Sequence, residues 1–322
     1  MMSITTSKTC ANLKQKESNV KIMGAKRTKH TSLRTQEART AWLFISPAVV
    51  GFSIFTFGSI LRSLYYSFTD WDLLTDPKPA GIQNFVKIFN DPYFYQYMGN
   101  TFYFVLLLVP IVLISSLFLA ILINTRSTGI TKAYRTALFL PSITSTVAIS
   151  MVWLWIFNPD MGLLNNFLLA IGFTKPPQWL GSPQWSKPAL LIMRVWQMSG
   201  YYMIMFLAGL QTIPESLYEA AEVDGASSTQ KFFWITIPML SNIFFVVGIL
   251  LIIESFNMFE SIFIMTEGGP LGSTSTIMYY IYEKAFKYYE MGYASALAWI
   301  FFILILVVTL IQYRFRHEQV GE

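Results

Sequence analysis

Apolar residues fall into six long blocks along the chain, at 42–68, 97–123, 134–157, 189–210, 238–265 and 291–313. A helix crossing a hydrocarbon core of about 30 Å needs about 20 mostly apolar residues, and each block is long enough. Charged and turn-forming residues collect between them, as in Asp70-Trp71-Asp72, Asp76-Pro77-Lys78-Pro79, Lys175-Pro176-Pro177 and Glu267-Gly268-Gly269-Pro270. A further apolar stretch from Gly162 to Gly172 is too short to span and reads as an interfacial helix. The pattern predicts an all-α, polytopic membrane protein. Its six-span domain covers 41–313, preceded by a tail over 1–40 and followed by a short C-terminus over 314–322.

Composition agrees. Apolar residues are 54% of the chain and charged residues 13%, with a mean hydropathy of +0.47. A soluble domain carries about 25% charged residues to cover its surface. Charge also orients the spans. With a cytoplasmic N-terminus, the inside segments 1–40, 124–135, 211–237 and 314–322 hold fifteen Lys and Arg, and the outside loops hold six alongside eight acids. The positive-inside bias therefore places both termini in the cytoplasm. Aromatic clusters at Trp71, Tyr93–Tyr97, Trp179/Trp185 and Tyr288/Tyr289 then fall at the outer interface.

The tail has nine Lys and Arg against Glu17 and Glu37, and no apolar run of a cleavable signal. It reads as a disordered cytoplasmic segment that retains the N-terminus inside, rather than a nucleic-acid-binding arm. Cys10 is the single cysteine, which excludes an intrachain disulfide. His30 and His317 both lie in tails, and no phosphate-binding G-x-x-x-x-G-K-[ST] loop or H-E-x-x-H occurs. The chain is expected to bind neither ATP nor metal itself and to be no enzyme.

These features fit a channel, a carrier, a membrane enzyme or a transporter subunit, and the cytoplasmic loop 214–238 separates them. Pro214 suits a helix start, and Glu215 lies near the positive end of that helix dipole. Gly225 permits a left-handed turn. Ser227 or Ser228 can cap a second helix containing Phe232, Phe233 and Ile235. The product is a helix–turn–helix with Ala220, Ala221, Gly225 and Ala226 at its bend. Small residues there let another protein approach the backbone; an amphipathic hairpin lying on the inner leaflet satisfies the same pattern.

Glu219-Ala220-Ala221, then Gly225, Ile235 and Pro238, follow E-A-A-x(3)-G-x(9)-I-x-L-P, with Ile237 in place of Leu. This resembles the signature of permease subunits of binding-protein-dependent ATP-binding-cassette importers. Asp224 and Ala226 match the sugar-importer form. Ser46-Pro47, Phe139-Leu140-Pro141 and Thr266-Glu267-Gly268-Gly269-Pro270 extend the similarity from Trp42 to Tyr313, closest in type to the maltose-permease-like first subunit. The resemblance implies an assembly with a second, non-identical permease and two ATPase subunits that bind ATP and Mg. It also implies an extracytoplasmic binding protein that delivers the sugar, in a bacterial or archaeal cytoplasmic membrane. The loop around Gly225 would be the coupling helix.

Ionisable groups inside spans are costly and suggest a pathway. Block five carries Glu254, Asn257 and Glu260 at three-residue steps, which places them on adjoining parts of one helix face. Arg194 lies near the expected depth of Glu260, so an Arg194–Glu260 ion pair is the structural alternative. Glu254 is left protonated or paired with the partner permease. The resemblance places sugar against Phe256, Asn257, Glu260 and Tyr201, where helix packing is the plainer reading of Tyr201 and Phe256. Trp153, Trp155 and Trp196 read as packing or interface residues. A carboxylate at Glu260 favours a neutral oligosaccharide. An importer of glycerol 3-phosphate, its diesters or an acidic oligosaccharide is the alternative, and a secondary carrier is the competing class.

Overall fold

A computed structural model describes residues 33–124 and 129–320. Most of the expected tail, with Cys10 and His30, lies outside the described residues. The chain divides into two units, Met1–Arg62 and Ser63–Glu322. The first contributes α1 (Leu33–Gly51) and a π-helical turn, Phe52–Phe57. Pro47 has no N–H for the Leu43 carbonyl, and the Ser46 hydroxyl donates to that oxygen at 3.0 Å. The Ser46-Pro47 pair thus satisfies a carbonyl that lipid could not. The helix continues as α2 (Gly58–Ser67).

In the second unit the last residues of α2 lead into a two-residue ladder, β1 (Thr69–Asp70) with β2 (Lys78–Pro79), antiparallel with Thr69 opposite Pro79. A short helix α3 (Gln83–Phe89) leads to α4 (Pro92–Ile123), whose N-cap Asp91 accepts from Tyr93 N. Next come α5 (Gly129–Ile143) and α6 (Thr146–Ile156), bent by 99° at their junction beyond Pro141. The short apolar stretch between Gly162 and Gly172 forms a helix, α7 (Leu163–Ala170). It is tied down where Trp179 Nε1 donates to Asn165 Oδ1 at 2.7 Å. Then follow α8 (Ser186–Leu210), the loop helices α9 (Glu215–Val223) and α10 (Ser228–Lys231), a π turn at Phe232–Thr236, α11 (Ile237–Met239) and α12 (Ser241–Phe256). The chain ends through α13 (Glu260–Met265), α14 (Ile277–Tyr282), a π turn and α15 (Met291–Val320).

Four described helices are long and apolar enough to span: Glu37–Ser67, Pro92–Ile123, Ser186–Leu210 and Met291–Arg314. Two bent pairs, α5 with α6 and Ser228–Met239 with α12, bring the number to six if each is one span. Block five departs from expectation. It is not one helix over 238–265, because the helix ends at Phe256 and restarts at Glu260.

The main pairing joins α4 to α8. Phe104, Leu108, Val112 and Ala120 share a core with Ala189, Leu190, Met193 and Phe206. At Gly200 a Cβ would run into the Leu138 carbonyl, so this glycine lets α5 approach α8 backbone to backbone. Other faces of α4 and α15 show Leu106, Ile114, Phe118, Phe302 and Leu310 outward. A soluble protein would hide such rows; a lipid-facing one presents them.

Candidate functional site

Two sites emerge, one on the loop between α8 and α12 and one between the spans. In the loop, Gly225 takes φ +77°, which ends α9 with Ala226 N donating to Ala221 O at 2.8 Å. Ser227 starts α10 through a reciprocal cap: Gln230 N donates to Ser227 Oγ, and Ser227 N donates to Gln230 Oε1 at 2.7 Å. Lys231 Nζ bridges back to Glu222 Oε1 at 2.5 Å, and Tyr218 Oη meets Thr236 Oγ1 at 2.9 Å. That bond to Lys231 holds the Glu222 carboxyl below its ordinary range. Glu219, Ala220, Asp224, Gly225 and Pro238 are exposed, whereas Ala221, Ala226 and Ile235 are half-buried. A Cβ added at Gly225 would touch nothing within 4 Å, and Val223 and Trp234 stand 89% and 80% exposed. The bend is stiff, small-residued and open on its outer face.

Between the spans lies a cavity of about 570 Å³, lined by polar Thr144, Thr146, Gln197, Tyr201 and Asn257 with Arg194 and Glu254. Arg194, 6% exposed, donates Nη2 to Glu254 Oε1 at 3.1 Å and Nη1 to Gln197 Oε1 at 2.7 Å. Gln197 Nε2 in turn donates to Thr146 Oγ1 at 3.1 Å, and Tyr202 Oη donates to Glu254 Oε2 at 2.9 Å. One hydrogen-bonded chain thus joins α6, α8 and α12. Asn257 sits in the break after α12, its Nδ2 donating to Ile253 O at 2.9 Å.

The family model "Binding-protein-dependent transport system inner membrane component" matches residues 93–318. The chain belongs to this family. The permease is similar to the "Probable ABC transporter permease protein YesP" of Bacillus subtilis (strain 168), 39% identical over 295 residues, 90% of this chain and 94% of that one. It is also similar to the "Lactose transport system permease protein LacF" of Rhizobium radiobacter, 36% identical over 297 residues, 91% and 99% of the two chains. In fold it matches a chain of a bacterial alginate ABC transporter, solved in complex with an alginate pentasaccharide-bound periplasmic protein. The TM-score there is 0.78 at 24% identity, with 88% of this chain and 96% of that one covered. The protein is a helical, multi-pass membrane permease.

Within the permease, the cavity brings together only part of the residue set expected from sequence. Tyr201 and Asn257 line it. Phe256 does not: it is fully buried, its ring edge-packed against Phe102 and Phe301. Glu260 is exposed at the start of α13 and is not among the lining residues. The break at 257–259 removes the single helix face that would have aligned it with Glu254. The expected Arg194–Glu260 ion pair is corrected to Arg194–Glu254. Helix α8 begins at Ser186 rather than 189, so Arg194 lies eight residues in, about 12 Å at 1.5 Å per residue. Sequence reasoning missed Tyr202, Gln197 and Thr146. The i, i+3 spacing of Arg194 and Gln197 was a usable signal. Trp153 and Trp196 pack edge to face and line a separate apolar cavity.

Proposed function

We propose that this permease forms, with a second and non-identical permease, the path by which an ATP-driven importer moves a neutral oligosaccharide inward. The open bend at Gly225 carries this reading. Glu219, Ala220 and Gly225 form an exposed, internally braced surface with small residues at its bend, suited to docking in an ATPase cleft. Two ATPase subunits would bind ATP and Mg, and an extracytoplasmic binding protein would deliver the sugar. Both termini would face the cytoplasm, in a bacterial or archaeal inner membrane. No role for nucleic acid is needed. Relatives named for lactose and arabinooligosaccharides support a saccharide substrate, and others named for sn-glycerol-3-phosphate keep the anionic alternative specific. The cavity favours the neutral reading. It offers hydroxyls and amides from Thr144, Thr146, Gln197 and Asn257 and a ring at Tyr201, and its two charges are paired.

Uptake of labelled neutral and acidic saccharides by cells expressing the full system tests this. Gly225→Pro forces φ near −65° where the turn uses +77°, and Glu219→Lys reverses the charge of an exposed docking residue. Each variant should insert normally yet lose uptake, with the ATPase subunits lost or uncoupled on purification. Full uptake by Gly225→Pro membranes would remove the coupling role. Import of acidic saccharides alone by the wild type would remove the neutral-sugar reading.

A further inference from the structure

The described residues lining the cavity include two charges, and they neutralise one another. We propose that the Arg194–Glu254 pair is a specificity-determining charge filter: paired, it makes the wall neutral to a passing sugar, and loss of either partner selects substrates opposite in charge to the survivor. The inference rests on the cavity being the sugar route.

The pair is built asymmetrically. Arg194 is buried and fixed from behind by Gln197, itself held by Thr146. Glu254 instead keeps 45% of its side chain exposed while each oxygen accepts one bond, from Arg194 and from Tyr202. A carboxylate has about four acceptor sites, so lone pairs remain for sugar hydroxyls on the open side. The solute therefore meets Glu254, with Arg194 cancelling its charge from behind. Where water is scarce, an uncancelled charge acts strongly on a charged solute. Removing Arg194 would leave a carboxylate that repels uronates, sulfonates and phosphates. Removing the charge of Glu254 would free Nη2 beside an Nε that has no partner among the described residues. That is half of the planar fork by which guanidinium binds carboxylate and phosphate. The filter would thus exclude acidic sugars by withholding a positive charge that the wall already contains, a form of specificity by a countering element.

The test reads the wall's charge without knowing the sugar. In the assembled importer in nanodiscs, Asn257→Cys is introduced with Cys10→Ser, and the mass of this subunit follows modification by two methanethiosulfonates. One reagent carries a sulfonate and the other a trimethylammonium group. With the pair intact, their rate ratio should lie close to that of a free thiol. Glu254→Gln should raise the anion-to-cation ratio on the order of tenfold and Arg194→Gln lower it as much. The double variant should return it to the parent value. Arg194→Lys, which keeps the charge, should leave it unchanged. If a single variant fails to assemble, a shifted ratio in the double or in Arg194→Lys overturns the proposal. Fast reaction at one ratio in all variants would overturn the filter and leave the route standing. No reaction of Asn257→Cys with either reagent would overturn the route, and the filter with it.

Discussion

Glu222 and Lys231 meet across the turn at Gly225, and the hydrogen bond from Lys231 depresses the Glu222 pKa below its ordinary 4.5. A carboxylate with a lowered folded-state pKa contributes stability above its unfolded value and loses it as pH falls through the folded one. The braced bend should therefore be insensitive to pH from neutrality down to about 4.5, and loosen below. Protection of amides 228–231 from hydrogen exchange, as a ratio of wild type to Glu222→Gln, should exceed one at neutral pH and fall to unity in acid. A constant ratio across that range would disprove the brace. The turn at Gly225 and the Ser227 cap were legible in the sequence because turn and cap chemistry is local, whereas the Glu222–Lys231 bridge across the turn was not read from it. Within the spans the ionisable residues were equally visible, but their pairing was not. Whether Arg194 meets Glu254 or Glu260 depends on where α8 begins and where α12 stops.

Helices in lipid associate through close packing and polar contacts rather than hydrophobic burial. The crossing of α5 on α8 at Gly200 uses that route, with the Leu138 carbonyl where a side chain would begin. Gly200→Ala should cost about 1–3 kcal/mol through overpacking, seen as lower thermal stability and yield of the assembled complex in detergent. Gly99→Ala is the control, since a Cβ there meets nothing within 4 Å. Equal stability of the two variants would show that the crossing can relax. The apolar blocks and the two helices flanking Gly225 followed from apolar runs, caps and turn residues. The halt of α12 at Phe256 did not. The sequence there, Ser255-Phe256-Asn257-Met258-Phe259, contains neither Gly nor Pro, and the stop is held by tertiary contacts such as Thr276 Oγ1 donating to Met258 O at 3.1 Å.

At the scale of the whole molecule, topology is the property most directly tested. Reporters fused after residues 30, 130, 225 and 320 should read as cytoplasmic, and those after 80, 180 and 280 as external. A cytoplasmic reading at 180 would mean that the bent pair α5–α6 returns to its own side instead of spanning. An external reading at 225 would remove the Gly225 loop from the compartment that holds ATP, and with it the proposed coupling role.

The sequence by itself determined the membrane environment, the apolar helical blocks and the capped turn at Gly225. Lipid demands long apolar runs with every backbone group bonded inside the segment, and a capped turn is written in adjacent residues. Only the tertiary structure decided which charges meet, which aromatic rings face solute and where a span breaks. Phe256 and Tyr201 look alike as sequence signals, yet one ring is buried between helices and the other opens on the cavity. Such outcomes follow from the rotation and depth of one helix against another. Those are set by packing at points such as Gly200, which lies one residue from Tyr201 but 54 from Glu254, the partner Arg194 meets.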